Sequence, residues 1–393
     1  MSGEVVTSPA DTIRKSLADY HANADAASKP NGATLRIVYF RPSDVKPQAD
    51  YEARITRIML DIQQFLKVEM ARYGFKDAVL PLEMKEGEVR IHMVVGKEGA
   101  AGYSHKAGNK VKIEMREALK KDFALDDEFA LVFHGMCRID GVRKYHFYAP
   151  YYGDPGSNHQ RGLCHVADCE VMDPKLLADT KRRIRYTEHY GKYNQSLAAF
   201  NTKYLGGVAH ELGHGLSLPH NCQTKDESRE LGTALMGAGN HTYRKERWSN
   251  NKGSFLTFSS AVRLASHPLF TGSDHQRAKP AGSGVSNLEV EGEGKELIIS
   301  GVVKATPDPY SVIAYVDPEG GGDYDAVATA VPVIDGKFKI DAACIKAGAH
   351  KLRLVVCQPN GATSIHRYTF TANKDSEPDL DTIALEKRRR RSK

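Results

Sequence analysis

The chain has 393 residues, 41% of them hydrophobic and 26% charged, an ordinary globular composition that excludes wholesale disorder and fibrous repeats. Its formal charge of +6 lies at one place: the segment from Lys387 to Lys393 carries six bases, and without them 49 basic residues face 49 acidic ones. The positive balance is a basic tail and not a nucleic-acid-binding surface, so no nucleic-acid partner is expected.

Residues 1–32 are polar and weakly patterned and are expected to be flexible. A short apolar run over 35–40 reads as a strand. Tyr51, Ile55, Ile58, Ile62, Phe65 and Leu66 then recur at spacings of three and four, which predicts a long amphipathic helix over about 50–73 with Gly74 as its stop. A second strand is expected within 89–95, a helix over 109–123, a third strand over 129–134, and further strands near 144–149 and 163–167. Helices and strands alternate at first and strands then cluster, the pattern of a mixed twisted sheet backed by helices, with this domain spanning 33–272. A Gly- and Pro-bearing polar stretch over 273–284 reads as a linker. From 285 to 373 about seven short β-like runs separated by turn signals, among them Asp335-Gly336, predict an immunoglobulin- or fibronectin-like sandwich. The fold class is therefore α+β followed by an all-β domain, with residues 374–393 a disordered charged tail. No run approaches the roughly 18 apolar residues that a membrane-spanning helix needs.

Six cysteines divide evenly: Cys137, Cys164, Cys169 and Cys222 before the linker, Cys344 and Cys357 after it. Cys164 and Cys169 are spaced for a short loop closure, and Cys344 and Cys357 fall on consecutive strand-like runs, so both pairs are candidate disulfides. The N-terminus lacks the apolar core of a secretory signal. The even cysteine split and an appended β-module nevertheless predict a secreted or extracytoplasmic protein.

The chemistry concentrates between Gly206 and Asn221, in Gly-Gly-Val-Ala-His210-Glu211-Leu-Gly-His214-Gly-Leu-Ser-Leu-Pro-His220-Asn. On a helix, residues four apart share a face, so His210 and His214 can grip one metal ion. Gly215 and Pro219 favour a stop that lets the chain turn and return His220 as a third ligand. Three His ligands leave one position of a tetrahedral Zn2+ open, as a hydrolytic site requires. Glu211, beside the first ligand, is placed to take a proton from water at that position.

The H-E-x-x-H-x-x-x-x-x-H spacing resembles the metzincin clan of zinc endopeptidases, over about residues 33–270. The resemblance implies that a Met in a tight turn lies beneath the metal, for which Met236 in Thr233-Ala-Leu-Met236-Gly-Ala-Gly is the candidate. It also suggests Tyr243, seven residues further on, as an oxyanion donor or fifth ligand, and substrate lying along an edge strand near 144–149. One departure is plain: where the clan usually has Gly three residues after the second His, this chain has Ser217, at a cost of about 1 kcal/mol for a left-handed turn. The expected function is a zinc-dependent endopeptidase acting on a protein or peptide, with oligomeric state left open. The alternatives are a zinc hydrolase on a non-protein amide and an adhesion protein in which the sandwich carries the function.

Overall fold

The structure, a computed structural model, describes residues 8–23, 32–141, 144–249, 251–320, 322–343 and 346–385. It has a mixed α/β architecture with several sheets. The first elements are α1 (Pro9–Ala22), β1 (Arg36–Arg41), α2 (Tyr51–Arg72), β2 (Ile91–Val95), α3 (Gly108–Leu119) and β3 (Phe129–His134). They are followed by β4 (Cys137–Ile139), β5 (Lys144–Phe147), β6 (Tyr152–Gly153), β7 (Gly162–Ala167), β8 (Arg183–Glu188), β9 (Gly191–Ser196), α4 (Leu197–Gly215) and α5 (Phe258–Ala265).

The main sheet has the order β2-β1-β3-β7-β6. Its first four strands are parallel, and β6 closes the edge antiparallel to β7. Ile37, Val38, Tyr39 and Phe40 of β1, and every residue of β3, are buried, as expected for parallel strands covered on both faces. Helix α2 supplies Ile55, Ile58, Ile62, Phe65 and Leu66 to this core, the residues its periodicity singled out. Gly74 follows the helix at φ +85°, a left-handed position that suits glycine.

A second sheet, β9-β8-β5-β4, takes up the strand expected near 144–149. There β5 lies between β8 and β4, so it is not an edge open to substrate. The edge strand beside α4 is β6.

The rest of the chain is all antiparallel: β10 (Ser283–Glu293), β11 (Glu296–Ala305), β12 (Ser311–Pro318), β13 (Val327–Pro332), β14 (Lys337–Ala343), β15 (Gly348–Cys357), β16 (Thr363–Ala372) and β17 (Pro378–Leu385). They form a three-stranded sheet, β10-β11-β14, and a five-stranded one, β13-β12-β15-β16-β17. Leu297, Ile299 and Ile340 of the first share an apolar cluster with Val312, Ala314, Leu352, Leu354 and Phe370 of the second. The 335–336 turn has φ of +50° and +72°, the two left-handed residues of a tight hairpin.

The N-terminal segment expected to be flexible contains α1, capped by Ser8, whose side chain accepts from the Asp11 N–H. Its buried Ile13 and Leu17, one turn apart, pack with Val262 of α5 against Ile313, Tyr315, Val355 and Cys357 on the outer face of the five-stranded sheet. The Tyr310 hydroxyl adds bonds to the Val262 carbonyl (2.7 Å) and to Ser266 Oγ (3.0 Å). Strand β12 is thus buried on both faces, and the C-terminal β-region shares a core with the rest of the chain. Residues 378–385, placed in the disordered tail by sequence, form β17; residues 386–393 lie outside the described residues.

The expected Cys164–Cys169 bridge is not formed. Cys137, Cys164, Cys169, Cys222 and Cys357 are free thiols. Cys164 sits inside β7 with its Sγ toward the Ala130 carbonyl, 3.7 Å away. Five residues of extended chain span roughly 16 Å, and a bridge tolerates no more than about 7 Å between Cα atoms. Cys357 closes β15 at the end remote from Gly348, and Cys344 lies outside the described residues. No helix among the described residues is long and apolar enough to cross a membrane.

Candidate metal centre

Helix α4 begins at Ser196, whose side chain caps the Ala199 N–H, and is buried on nearly all sides. It runs along β7 and β6 and delivers His210, Glu211 and His214 at its C-terminal end. A Cβ on Gly213 would collide with the Met236 thioether, so this glycine lets the 235–236 turn close directly under the helix. Met236 is buried there.

The helix stops in a Schellman arrangement: the Leu218 N–H reaches the Gly213 carbonyl (2.9 Å) and the Ser217 N–H the His214 carbonyl (2.8 Å). Ser217 occupies the left-handed position at φ +68°, as its place in the motif requires. Its Oγ is buried with no hydrogen-bond partner. Ser217→Gly removes both penalties, against a small gain in unfolded-chain entropy, and is expected to raise stability by about 0.5–1 kcal/mol. A urea midpoint at or below that of the parent would contradict this.

The turn brings His220 back over the helix. Nε2 of His210 lies 3.2 Å from that of His214 and 3.3 Å from that of His220, and the His214–His220 separation is 3.0 Å. Each Nδ1 has an acceptor of its own: the Leu235 carbonyl for His210 (2.7 Å), the Leu218 carbonyl for His214 (2.8 Å) and Asp323 Oδ1 for His220 (2.7 Å). With Nδ1 donating, each Nε2 carries a lone pair and no proton. Three lone pairs converge at separations that repel unless a cation lies between them. Ligand nitrogens about 2.0–2.1 Å from a tetrahedral ion stand about 3.3 Å apart, so this group fits a metal ion of that size. Burial holds His210 and His214 neutral, His210 down to about 3, which keeps them ready to ligate.

Glu211 points to the other side of the helix edge, toward β6. Its Oε2 accepts the Gly153 N–H at 2.7 Å. Burial lifts its carboxyl to about 7, while that single bond pulls the other way. A Cβ on Gly153 would strike His214, so glycine is what lets the edge strand lie flush against α4.

Tyr243 is not in this site. It is fully buried behind α4, where Gly206 leaves room for it; its hydroxyl donates to Asp61 Oδ2 (2.7 Å) and its ring packs edge-on against Phe65. A short 3-10 turn over Gly239–His241 lies between Met236 and Tyr243. The tyrosine that does reach them is Tyr324, from the loop between β12 and β13. Its ring stacks on His220 with centroids 3.7 Å apart and leaves the residue 51% exposed. Asp323 and Tyr324 lie over one hundred residues from the motif, and only the glycine-rich run before them marks the loop as unusual.

No protein-family model and no curated protein sequence matches the chain. Solved structures do. Wild-type OgpA from Akkermansia muciniphila, in two crystal forms, is similar at a TM-score of 0.73, with 25% and 26% identity over 93% and 91% of this chain and 98% of that one. A catalytically inactive OgpA in complex with an O-glycopeptide substrate, glycodrosocin, is similar at a TM-score of 0.72 with 24% identity, covering 93% of this chain and 98% of that one.

Proposed function

We propose that this protein is a zinc-dependent, metzincin-like endopeptidase that cleaves O-glycosylated peptides. The observation that carries the reading is the convergence of three unprotonated Nε2 atoms beside a buried carboxylate. His210, His214 and His220 would hold the ion, with Met236 as the structural floor beneath them. Zinc there supplies an acidified water and polarises a carbonyl. Glu211 takes the proton of the attacking water and hands it to the leaving amine; the Gly153 N–H holds its carboxylate in place for both transfers. An extended peptide would lie along β6, the edge strand beside α4, with Tyr324, which stacks on His220, at the same site.

The O-glycopeptide is the substrate of the similar OgpA, and the shared architecture over nearly the whole of both chains supports carrying that class over. An O-glycopeptide substrate supports the expectation of a secreted or extracytoplasmic enzyme. We read residues 33–272 as the peptidase part, 273–284 as a link, and the two C-terminal sheets as an immunoglobulin-like sandwich fastened to it.

The test is mass spectrometry of paired peptides, one O-glycosylated and one bare, with and without a chelator. The glycopeptide is expected to be cut, the chelator to stop the reaction and added zinc to restore it. Undiminished cleavage in the chelator would refute the metal-dependent reading.

A further inference from the structure

Of the three imidazoles, two stand on α4 and are held by carbonyls from outside the C-terminal sheets, those of Leu235 and Leu218. His220 differs on each count. It stands on a loop, and its Nδ1 is met by a carboxylate from the C-terminal β-region, Asp323 Oδ1, at 2.7 Å. The second carboxylate oxygen faces Arg353 Nη1 of β15 at 3.3 Å, and the Arg353 guanidinium lies over the Tyr315 ring at 5.1 Å. The neighbouring Tyr324 stacks on the His220 ring. Two residues beyond His220, the Cys222 N–H bonds the Ala326 carbonyl at 2.8 Å, and Cys222 pairs with Val327 as an isolated parallel bridge. Residues 220–222 are thus stitched to 323–327 by a charge-assisted bond, a ring stack and backbone pairing.

We propose that Asp323 is a positioning residue for the third metal ligand, so that the C-terminal β-region is an integral part of the metal centre and not an appendage. This rests on reading the three imidazoles as a zinc site. A loop-borne imidazole can rotate about two side-chain torsions, and a carboxylate on its far nitrogen fixes the tautomer and the ring plane and raises the basicity of the ligating nitrogen. Arg353 does for Asp323 what Asp323 does for His220.

The experiment uses the full chain as wild type, Asp323→Ala and Asp323→Asn. Zinc affinity is measured by competition with a chromophoric chelator, the visible spectrum of the cobalt-loaded forms is recorded, and kcat and KM are taken at saturating zinc. Removal of such an outer partner costs about 10–100-fold in metal affinity or activity. Asp323→Ala is expected to bind zinc about 10–100-fold more weakly, with an altered cobalt spectrum and a fall in kcat larger than any rise in KM. Asp323→Asn keeps an acceptor oxygen without the charge and is expected to fall between the two; it carries the test where Asp323→Ala cannot be prepared folded. Wild-type affinity and an unchanged cobalt spectrum in either variant, with the parent binding one zinc, overturns the role of Asp323 alone. A parent that binds no zinc overturns the zinc reading and this inference with it.

Discussion

Glu211→Gln is expected to leave zinc bound and the fold intact while kcat falls about 10²–10⁴-fold, the range for loss of a positioned general base. Glutamine has the same shape, and its amide oxygen can still accept the Gly153 N–H that Glu211 accepts at 2.7 Å. What it cannot do is take up a proton. The pH profile should change with it. Burial lifts the Glu211 carboxyl to about 7 in the metal-free site, and a dication beside it favours the charged form and lowers that value. The base works deprotonated, so kcat/KM of the parent should rise with pH on an acid limb lying below 7, and the variant should lack that limb. The same raised value has a consequence for metal-free stability. A carboxyl raised from 4.5 to about 7 on folding stabilises the fold below its unfolded pKa, and that contribution is lost as pH rises through 7. Residual turnover within tenfold of the parent, with the acid limb intact, would remove Glu211 from the reaction.

His214→Ala should abolish stoichiometric zinc. Sites of this kind hold zinc by roughly 10–16 kcal/mol, so one of three protein ligands accounts for about 3–5 kcal/mol, a weakening of about 10²–10⁴-fold. Two reasons place the expectation at the upper end. His214 Nε2 is the nearest neighbour of His220 Nε2, at 3.0 Å, so its loss opens one side of the triangle. Its Nδ1 bond to the Leu218 carbonyl also ties the helix end to the turn that returns His220. Equilibrium dialysis followed by metal analysis checks this; one equivalent of zinc retained against a competing chelator would contradict the assignment.

Most of what could be read in advance was local. His210, His214 and His220 lie within ten residues, and the helical repeat plus one turn brings their nitrogens together with little help from distant sequence. The helix over 51–72 and the strand over 129–134 announced themselves because one carries a helical stripe and the other is apolar throughout, as a buried parallel strand must be. The misses are long-range or rest on few residues. Helix α1 buries only Ile13 and Leu17, one turn apart, which is too little for periodicity to register; the partner surface on the five-stranded sheet supplies the rest. Tyr243 was placed by offset from Met236, yet with a 3-10 turn over Gly239–His241 between them its hydroxyl meets Asp61. The even number of cysteines suggested bridges, but Cys164 is spent inside a strand. Beyond the glycine-rich run before them, Asp323 and Tyr324 had no local signal, because a loop joining two strands of a distant sheet gives no hint of what it will touch.

The central claim is that three imidazoles and one further light atom hold a single zinc ion. Zinc X-ray absorption on the purified full-length protein tests it without reference to any substrate. The result expected is one zinc per chain with three imidazole nitrogens and one oxygen at about 2.0–2.1 Å. A sulfur shell at about 2.3 Å, or a protein that retains no zinc, would contradict it.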